Sequence, residues 1–209
     1  MSATATVPWT LPKTWHVPRE WVGERCFILC SGESIGKQAK QIAELKGRFV
    51  AVKHGVLLRP DADVLFLAGE GTLTFEKDLI SQFRGRYMVV RSKHHPGLPM
   101  EVLRVARAKD HTTLCELTDH VCGYDTGTSA INLAYHFGAT EIVLLGYDMT
   151  GGHFCKHPLQ NPPQDHFRRH MTTLADLNAD AVRKGIRIVN CSPISAVTAF
   201  EKQPLEMFL

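Results

Sequence analysis

Most of the residues in this 209-residue chain that could do chemistry sit in three short polar turns, each wedged between an apolar run and an amphipathic one. The first, Cys30-Ser31-Gly32-Glu33-Ser34-Ile35-Gly36, follows the apolar run CFILC. Gly32 permits a tight turn there, and Ser34 can cap a following helix. The segment lacks the glycine spacing of a dinucleotide fingerprint and the GK[ST] of a P-loop, so it reads either as an anion cradle or as a plain strand-to-helix turn. The second, Tyr124-Asp125-Thr126-Gly127-Thr128-Ser129, precedes AINLAYHFG. Asp125, Thr126 or Thr128 could cap that helix, and the remaining hydroxyl and N–H groups suit a phosphate or a ribose. If the turn approaches a ligand closely, a β-branched residue at Gly127 should weaken nucleotide binding and leave the fold largely intact. The third, Gly146-Tyr147-Asp148, ends an almost wholly apolar run, where a carboxylate without a task would be expensive to bury.

Downstream lie His153, Cys155, Lys156 and His157, then His166, Arg168, Arg169 and His170. Imidazoles exchange protons near neutrality, and lysine or arginine can meet a phosphate. The stretch at about 150–165 has a glycine pair, Pro158, Pro162-Pro163 and no apolar periodicity, which implies a lid with few core contacts. His153-Phe154-Cys155-Lys156-His157 has the alternation of a zinc half-site, but nothing at ligand spacing completes it, and no metal site is expected.

These turns act together only if neighbouring strands bring them together. Residues 26–30, 49–53, 64–68, 87–91, 141–146 and 186–190 are short apolar runs; helical spacing fills 35–46, about 75–84, 128–137 and about 165–184. Apolar strands alternating with amphipathic helices predict an α/β fold, a three-layer, Rossmann-like, mostly parallel sheet with helices on both faces. Ligands of such sheets sit beyond the carboxyl ends of the strands, so the turns at 31–34 and 126–129 should share one crevice. The stretch 92–124 supports either a helix or edge strands. Residues 1–24 hold three prolines and all three tryptophans without either period, and read as an irregular arm. Residues 25–209 read as a single nucleotide-binding domain carrying the lid.

A hydrophobic share of 44% is that of a folded globular protein, and a net charge of +3 without Lys/Arg blocks predicts neither a nucleic-acid nor a membrane partner. The first twenty residues lack the apolar core of a secretion signal, and no apolar run approaches the ~20 residues of a membrane span, so a cytoplasmic location is expected. The six scattered cysteines read as reduced thiols, Cys26 and Cys30 as small hydrophobes on one strand face. Oligomeric state is left open.

Taken together, ILCSGES (28–34), VAVKH (50–54), DTGTSAINLAYHFGATEIVLLGYDM (125–149) and IVNCSPISAVTAF (188–200) resemble the sialyltransferase-like superfamily. That group contains bacterial CMP-sialic-acid-dependent sialyltransferases, the flagellin glycosyltransferases called motility accessory factors, archaeal 6-hydroxymethylpterin diphosphokinases and small phage proteins labelled norphogenetic. The phage proteins are the nearest in length and in the wording of 130–149, and would place the chain in a host cytoplasm. The resemblance implies that Ser31, Gly32 and Ser34, then Lys53, Thr126, Gly127, Gly146 and Asp148 hold a CMP-type nucleotide as substrate, with Thr128 and Ser129 beside them and no tightly bound cofactor. It implies a histidine base in the lid: His166 by position, with His153 and His157 as rivals.

The chain departs from the pattern in three places. The family meets the departing phosphate with two lid tyrosines, and none follows Tyr147 here, so the duty would pass to Lys156, Arg168 or a protonated histidine. Lys53 stands where asparagine is usual, and Ala68-Gly69-Glu70 where an acidic residue often follows the third strand. The expected function is a nucleotide-dependent transferase, most simply a small metal-independent glycosyltransferase that takes a nucleotide donor and an unknown acceptor. Two alternatives stand beside it: a Mg²⁺-dependent, diphosphokinase-like ATP enzyme with ligands from Asp148, Glu70 or Asp125, and a non-catalytic nucleotide-binding phage protein.

Overall fold

Apolar runs of five residues with no polar alternation read as strands covered on both faces. In the computed structural model, which describes residues 13–68, 77–92, 102–155, 165 and 167–209, they form one sheet. Its strands are β1 (Arg25–Leu29), β2 (Arg48–Val52), β3 (Val64–Ala68), β4 (Tyr87–Arg91), β5 (Val102–Arg107), β6 (His120–Val121), β7 (Glu141–Leu145), β8 (Arg187–Asn190) and β9 (Glu201–Lys202). Among the described residues the sheet is parallel throughout, in the order β6-β5-β4-β3-β2-β1-β7-β8-β9. The helices are α1 (Ala39–Glu44), α2 (Lys77–Gln82), α3 (Thr126–Phe137), α4 (Arg168–Met171) and α5 (Leu174–Arg183).

The two-residue period of β1 sorts the core into two layers. Cys26 and Ile28 join Ala130, Leu133 and Leu177 on the α3 and α5 side, together with Cys30 just past the strand end. Phe27 and Leu29 join Ile35 and Ile42 on the α1 side. Helices therefore cover both faces, and the fold is the three-layer, Rossmann-like α/β arrangement. All six cysteines are free thiols.

Three boundaries differ from the sequence reading. The helix expected over 35–46 is a 3-10 turn, Glu33–Gln38, followed by α1, and the one expected over 165–184 is α4 and α5. The ambiguous stretch 92–124 supplies edge strands, since β5 and β6 extend the sheet in parallel register. Trp9 lies outside the described residues. Further along the arm, Trp21 is 2% exposed and stacks on Phe137 with ring centroids 3.9 Å apart. Trp15 leans on Tyr87 and Phe137.

The chain runs outward from β1 to β6, then crosses back through α3 to enter β7 on the other side of β1, so the order reverses between β1 and β7. One buried amide ties down the return: Asn132 on α3 accepts from the backbone N–H of Cys115 and of Cys122, at 3.0 and 2.8 Å. Beyond the strand ends the pairing of β1 and β7 continues into the turns. Cys30 N–H donates to Leu145 O at 2.8 Å and Gly32 N–H to Gly146 O at 2.9 Å. Asp148 then accepts from the Ser34 N–H at 2.9 Å and the Ser34 hydroxyl at 2.6 Å. A Cβ at position 32 would collide with the Gly146 carbonyl and the Asp148 carboxylate, so only glycine fits.

Burial pushes the Asp148 carboxyl above its ordinary pKa, and the two Ser34 bonds pull it back. Asp148→Ala removes both acceptor oxygens and leaves the buried Ser34 N–H without its partner. It should cost about 2 kcal/mol in urea unfolding, more than Ser34→Ala, which leaves the main-chain bond in place. Equal costs would show that the main-chain bond holds nothing.

Candidate functional site

The reversal of strand order leaves an opening between the turns after β1 and β7, and there the described residues form a cleft. Its walls come from Ser31 and Gly32 after β1, Lys53 and His54 after β2, Thr126 and Gly127 at the start of α3, and Gly146 to Met149 after β7. Gly151, Gly152 and His153 close one side, with Phe167 and His170 beyond them. The turns at 31–32 and 126–127 thus face one crevice.

The α3 terminus turns main-chain donors toward the cleft. Asp125 caps it by accepting from the Thr128 N–H at 2.9 Å. The N–H groups of Thr126 and Gly127, in the first turn, have no intrahelical carbonyl to bond and carry the positive end of the helix dipole. Lys53 lies opposite in left-handed backbone, φ 50°. Met149, at φ 54°, is the other non-glycine residue so held among those described, and it too lines the cleft. Each conformation costs on the order of 1–2 kcal/mol, which the surrounding contacts must supply.

Several expected ligands are spent inside the protein. Ser34 is buried and committed to Asp148. Asp148, though it borders the cleft, is only 2% exposed with both oxygens engaged, so it positions the first turn and does not face a substrate. Thr128 is buried, its hydroxyl shared with Asp125 and the Tyr147 phenol. Ser129 is buried too, donating to Cys122 O at 2.7 Å and accepting from Arg91. Helix periodicity turns positions 128 and 129 inward once Thr126 begins the first turn. Gly127 also has an internal reason to be glycine: a Cβ there would strike the Tyr147 ring, 2.6 Å from Cε2. A β-branched residue would therefore disturb the cleft floor itself, and the expected clean separation of binding from folding does not hold.

What remains facing the cleft is Ser31, Gly32, Lys53, Thr126, Gly127, Gly146, His153 and His170 from the sequence reading, joined by His54. His54 follows Lys53 directly and was missed because a lone histidine after an apolar strand carries no spacing signal. Burial holds the His54 imidazole below its ordinary pKa, and the charges of His153 and Lys53 lower it further. Burial does the same for His153, against a hydrogen bond to the Ser31 backbone that favours the protonated ring. Both rings are thus biased toward the neutral form at pH 7. Phe154 N–H donates to Ser31 O at 3.2 Å, so the chain after Gly152 docks on the same turn; residues 156–164 of the stretch expected to form a lid lie outside the described residues. Lys156, His157, His166 and Glu70 lie outside the described residues. No group of three or more metal-ligating side chains occurs among the described residues, nor does any helix there have the length and apolarity to cross a membrane.

The chain matches no known protein family's sequence model and no curated protein. Among solved structures it is similar to the sialyltransferase CST-II in complex with trisaccharide acceptor and CMP, at 14% identity over 85% of each chain and a TM-score of 0.50. A structure of the sialyltransferase CstII from Campylobacter jejuni in complex with a substrate analogue, cytidine-5'-monophosphate, aligns over 87% of this chain and 85% of its own at 14% identity, with a TM-score of 0.45. At this identity the likeness is one of fold: the chain has a sialyltransferase-like, Rossmann-like architecture.

Proposed function

We propose that the chain is a nucleotide-sugar-dependent glycosyltransferase that holds a CMP-type donor in the β1/β7 cleft and works without a metal ion. The observation that carries this reading is the convergence of the β1, β2 and β7 turns with the α3 N-terminus in one crevice. The fold neighbour with CMP and a trisaccharide acceptor supports the choice of nucleotide and of a saccharide acceptor. The cleft carboxylates support metal independence, because Asp125 and Asp148 are already occupied by Thr128, Tyr147 and Ser34.

In this reading an acceptor hydroxyl oxygen attacks the anomeric carbon while its proton passes to a neutral imidazole. The bond from that carbon to the phosphate oxygen breaks, and the electron pair leaves on the phosphate. The Thr126 and Gly127 N–H groups and Lys53 meet that charge in place of lid tyrosines, with Lys156 and Arg168 as further cations of the lid. His153 is the base that the cleft geometry favours, and His166, flanked by Asp165 and Phe167, is its rival. Membership of the small phage group and a host cytoplasmic location belong to the same proposal.

A thermal-shift panel of CMP, UDP, GDP, ADP and ATP, with and without Mg²⁺, tests the donor. CMP should stabilise without Mg²⁺, by about 2.7 kcal/mol at a hundred times its Kd. Stabilisation by ATP only with Mg²⁺ would replace this reading with the diphosphokinase-like one, and a flat panel at millimolar nucleotide would leave a fold without this activity. Lys53→Ala should weaken CMP by about tenfold or more while leaving the unfolding midpoint of the free protein unchanged or higher, because it removes a charge from the phosphate side of the cleft.

The base is identified by turnover. His153→Ala should lower kcat by roughly 10²–10⁴ at unchanged CMP affinity. A base acts when deprotonated, and burial sets the His153 pKa below 6.5. The acid limb of the kcat/KM profile should therefore have its midpoint below the ordinary imidazole value, activity being lost as the pH falls through it. If His166→Ala and not His153→Ala gives this loss, the proton goes to the lid helix.

A further inference from the structure

Beside the cleft, on the same rim of the sheet, a second group of side chains has no part in the mechanism above. Arg91 and Arg107 end the adjacent strands β4 and β5, and Tyr124 stands in the turn that leads into α3. The Arg107 guanidinium lies 5.6 Å from the Tyr124 ring centroid and that of Arg169, on α4, 5.0 Å. His111 meets the same ring edge-on at 4.5 Å. Two guanidiniums thus approach a single aromatic ring, and a third, that of Arg91, feels the charge of Arg107 behind them.

The nearby carboxylates Asp110 and Asp125 contribute negative charge but form no ion pair with these arginines. Asp110 accepts from the Thr112 N–H and hydroxyl and the Thr113 hydroxyl, at 2.8, 2.7 and 2.7 Å, which holds its pKa down to about 2. Asp125 is occupied by Thr128 and Tyr147. Neither Arg107 nor Arg169 makes an ion pair among the described residues, and half-buried Arg91 bonds neutral oxygens there, those of Gly123, Asp125 and Ser129. Burial, and after it the charge of Arg107, lowers the Arg91 pKa to about 10 against the opposing charge of Asp125. His111 is lowered by burial and by both Arg107 and Arg91. Its Nδ1 accepts from the Gly123 N–H at 3.2 Å, which leaves Nε2–H as a donor.

We propose that Arg107, Arg169 and the Tyr124 ring form an anion-recognition site at the rim of the cleft, with Arg91 and His111 behind them, that takes a carboxylate or phosphate group of a substrate bound in the cleft. An exposed guanidinium over an aromatic face is pre-oriented for bidentate contact, and its fixed plane loses little freedom on binding. The place follows from the chain: Tyr124 adjoins Asp125, and Arg169 adjoins His170, both on the cleft wall. An anionic group here would give Arg107 and Arg169 the direct ion pair that they lack among the described residues. The site rests on the nucleotide reading for its role in catalysis, but its existence does not.

The probe is inorganic phosphate, titrated calorimetrically at low salt into protein already saturated with CMP. Wild type should bind it, and Arg107→Gln and Arg169→Gln should each weaken it by about tenfold with CMP affinity unchanged, the loss of one charge-assisted hydrogen bond. Lys109→Gln, an exposed neighbour, is the control. If it weakens phosphate as much as the arginine variants do, the binding is a diffuse field and the site is overturned; loss of phosphate binding once CMP is present overturns it too, by placing the anion in the nucleotide cleft. Should CMP itself fail to bind, the nucleotide reading falls, and phosphate binding sensitive or insensitive to the two arginines decides the site alone. Two pairs of compounds then give the anion's source. A neutral disaccharide against its carboxylated derivative tests the acceptor, and CMP against a CMP-linked carboxylated sugar tests the donor. An arginine-dependent preference in either pair supports substrate recognition, and its absence in both overturns it.

Discussion

Strands β1 and β7 lie side by side although more than a hundred residues separate them, and their hydrogen bonding continues past the strand ends through Cys30, Gly32 and Gly146. Everything at the functional rim depends on that continuation. It brings the first turn close enough to Asp148 for the carboxylate to hold Ser34, and it admits no side chain at position 32. The same constraint sends α3 across the sheet, because a chain that has run out to β6 can reach the far side of β1 only by crossing back. The helix N-terminus therefore arrives beside the β1 turn as a consequence of topology.

The polar atoms near the cleft divide into two groups. Asp125, Thr128, Tyr147, Ser34 and Asp148 satisfy one another in buried pairs, which fixes the shape of the walls. Buried polar groups left half-paired would be costly, so this inner set is closed. Backbone N–H groups, Lys53 and the imidazoles of His54, His153 and His170 border the cleft beside that set. The cationic character of the cleft comes from Lys53 and the α3 N-terminus. The arginines around Tyr124 extend that character along the rim toward β5.

The strained backbone at Lys53 and Met149 belongs to the same economy. Left-handed geometry at a residue with a side chain turns that side chain where a regular strand exit would not send it. Here both such positions border the cleft. Stability is given up locally, and the wide parallel sheet behind, buried on both faces, supports the loss.

The sequence by itself determined the fold class and the edge of the sheet at which the cleft forms. Apolar pentads separated by amphipathic stretches require a doubly covered parallel sheet, and polar turns after such strands must gather at its carboxyl edge. It named turns that line the cleft, but not the hydrogen bonds made within them. Ser34 and Asp148 are partners across 114 residues of chain, and Thr128, Ser129 and Tyr147 turn inward for reasons that periodicity over a few residues does not carry. His54 faces the cleft because of the turn at Lys53, and Arg107, Arg169 and Tyr124 meet only when β5, α4 and the α3 turn are assembled. Periodicity reports which face of an element is buried; which donor satisfies which acceptor is settled by contacts between elements far apart in the chain, and those exist only in the folded molecule.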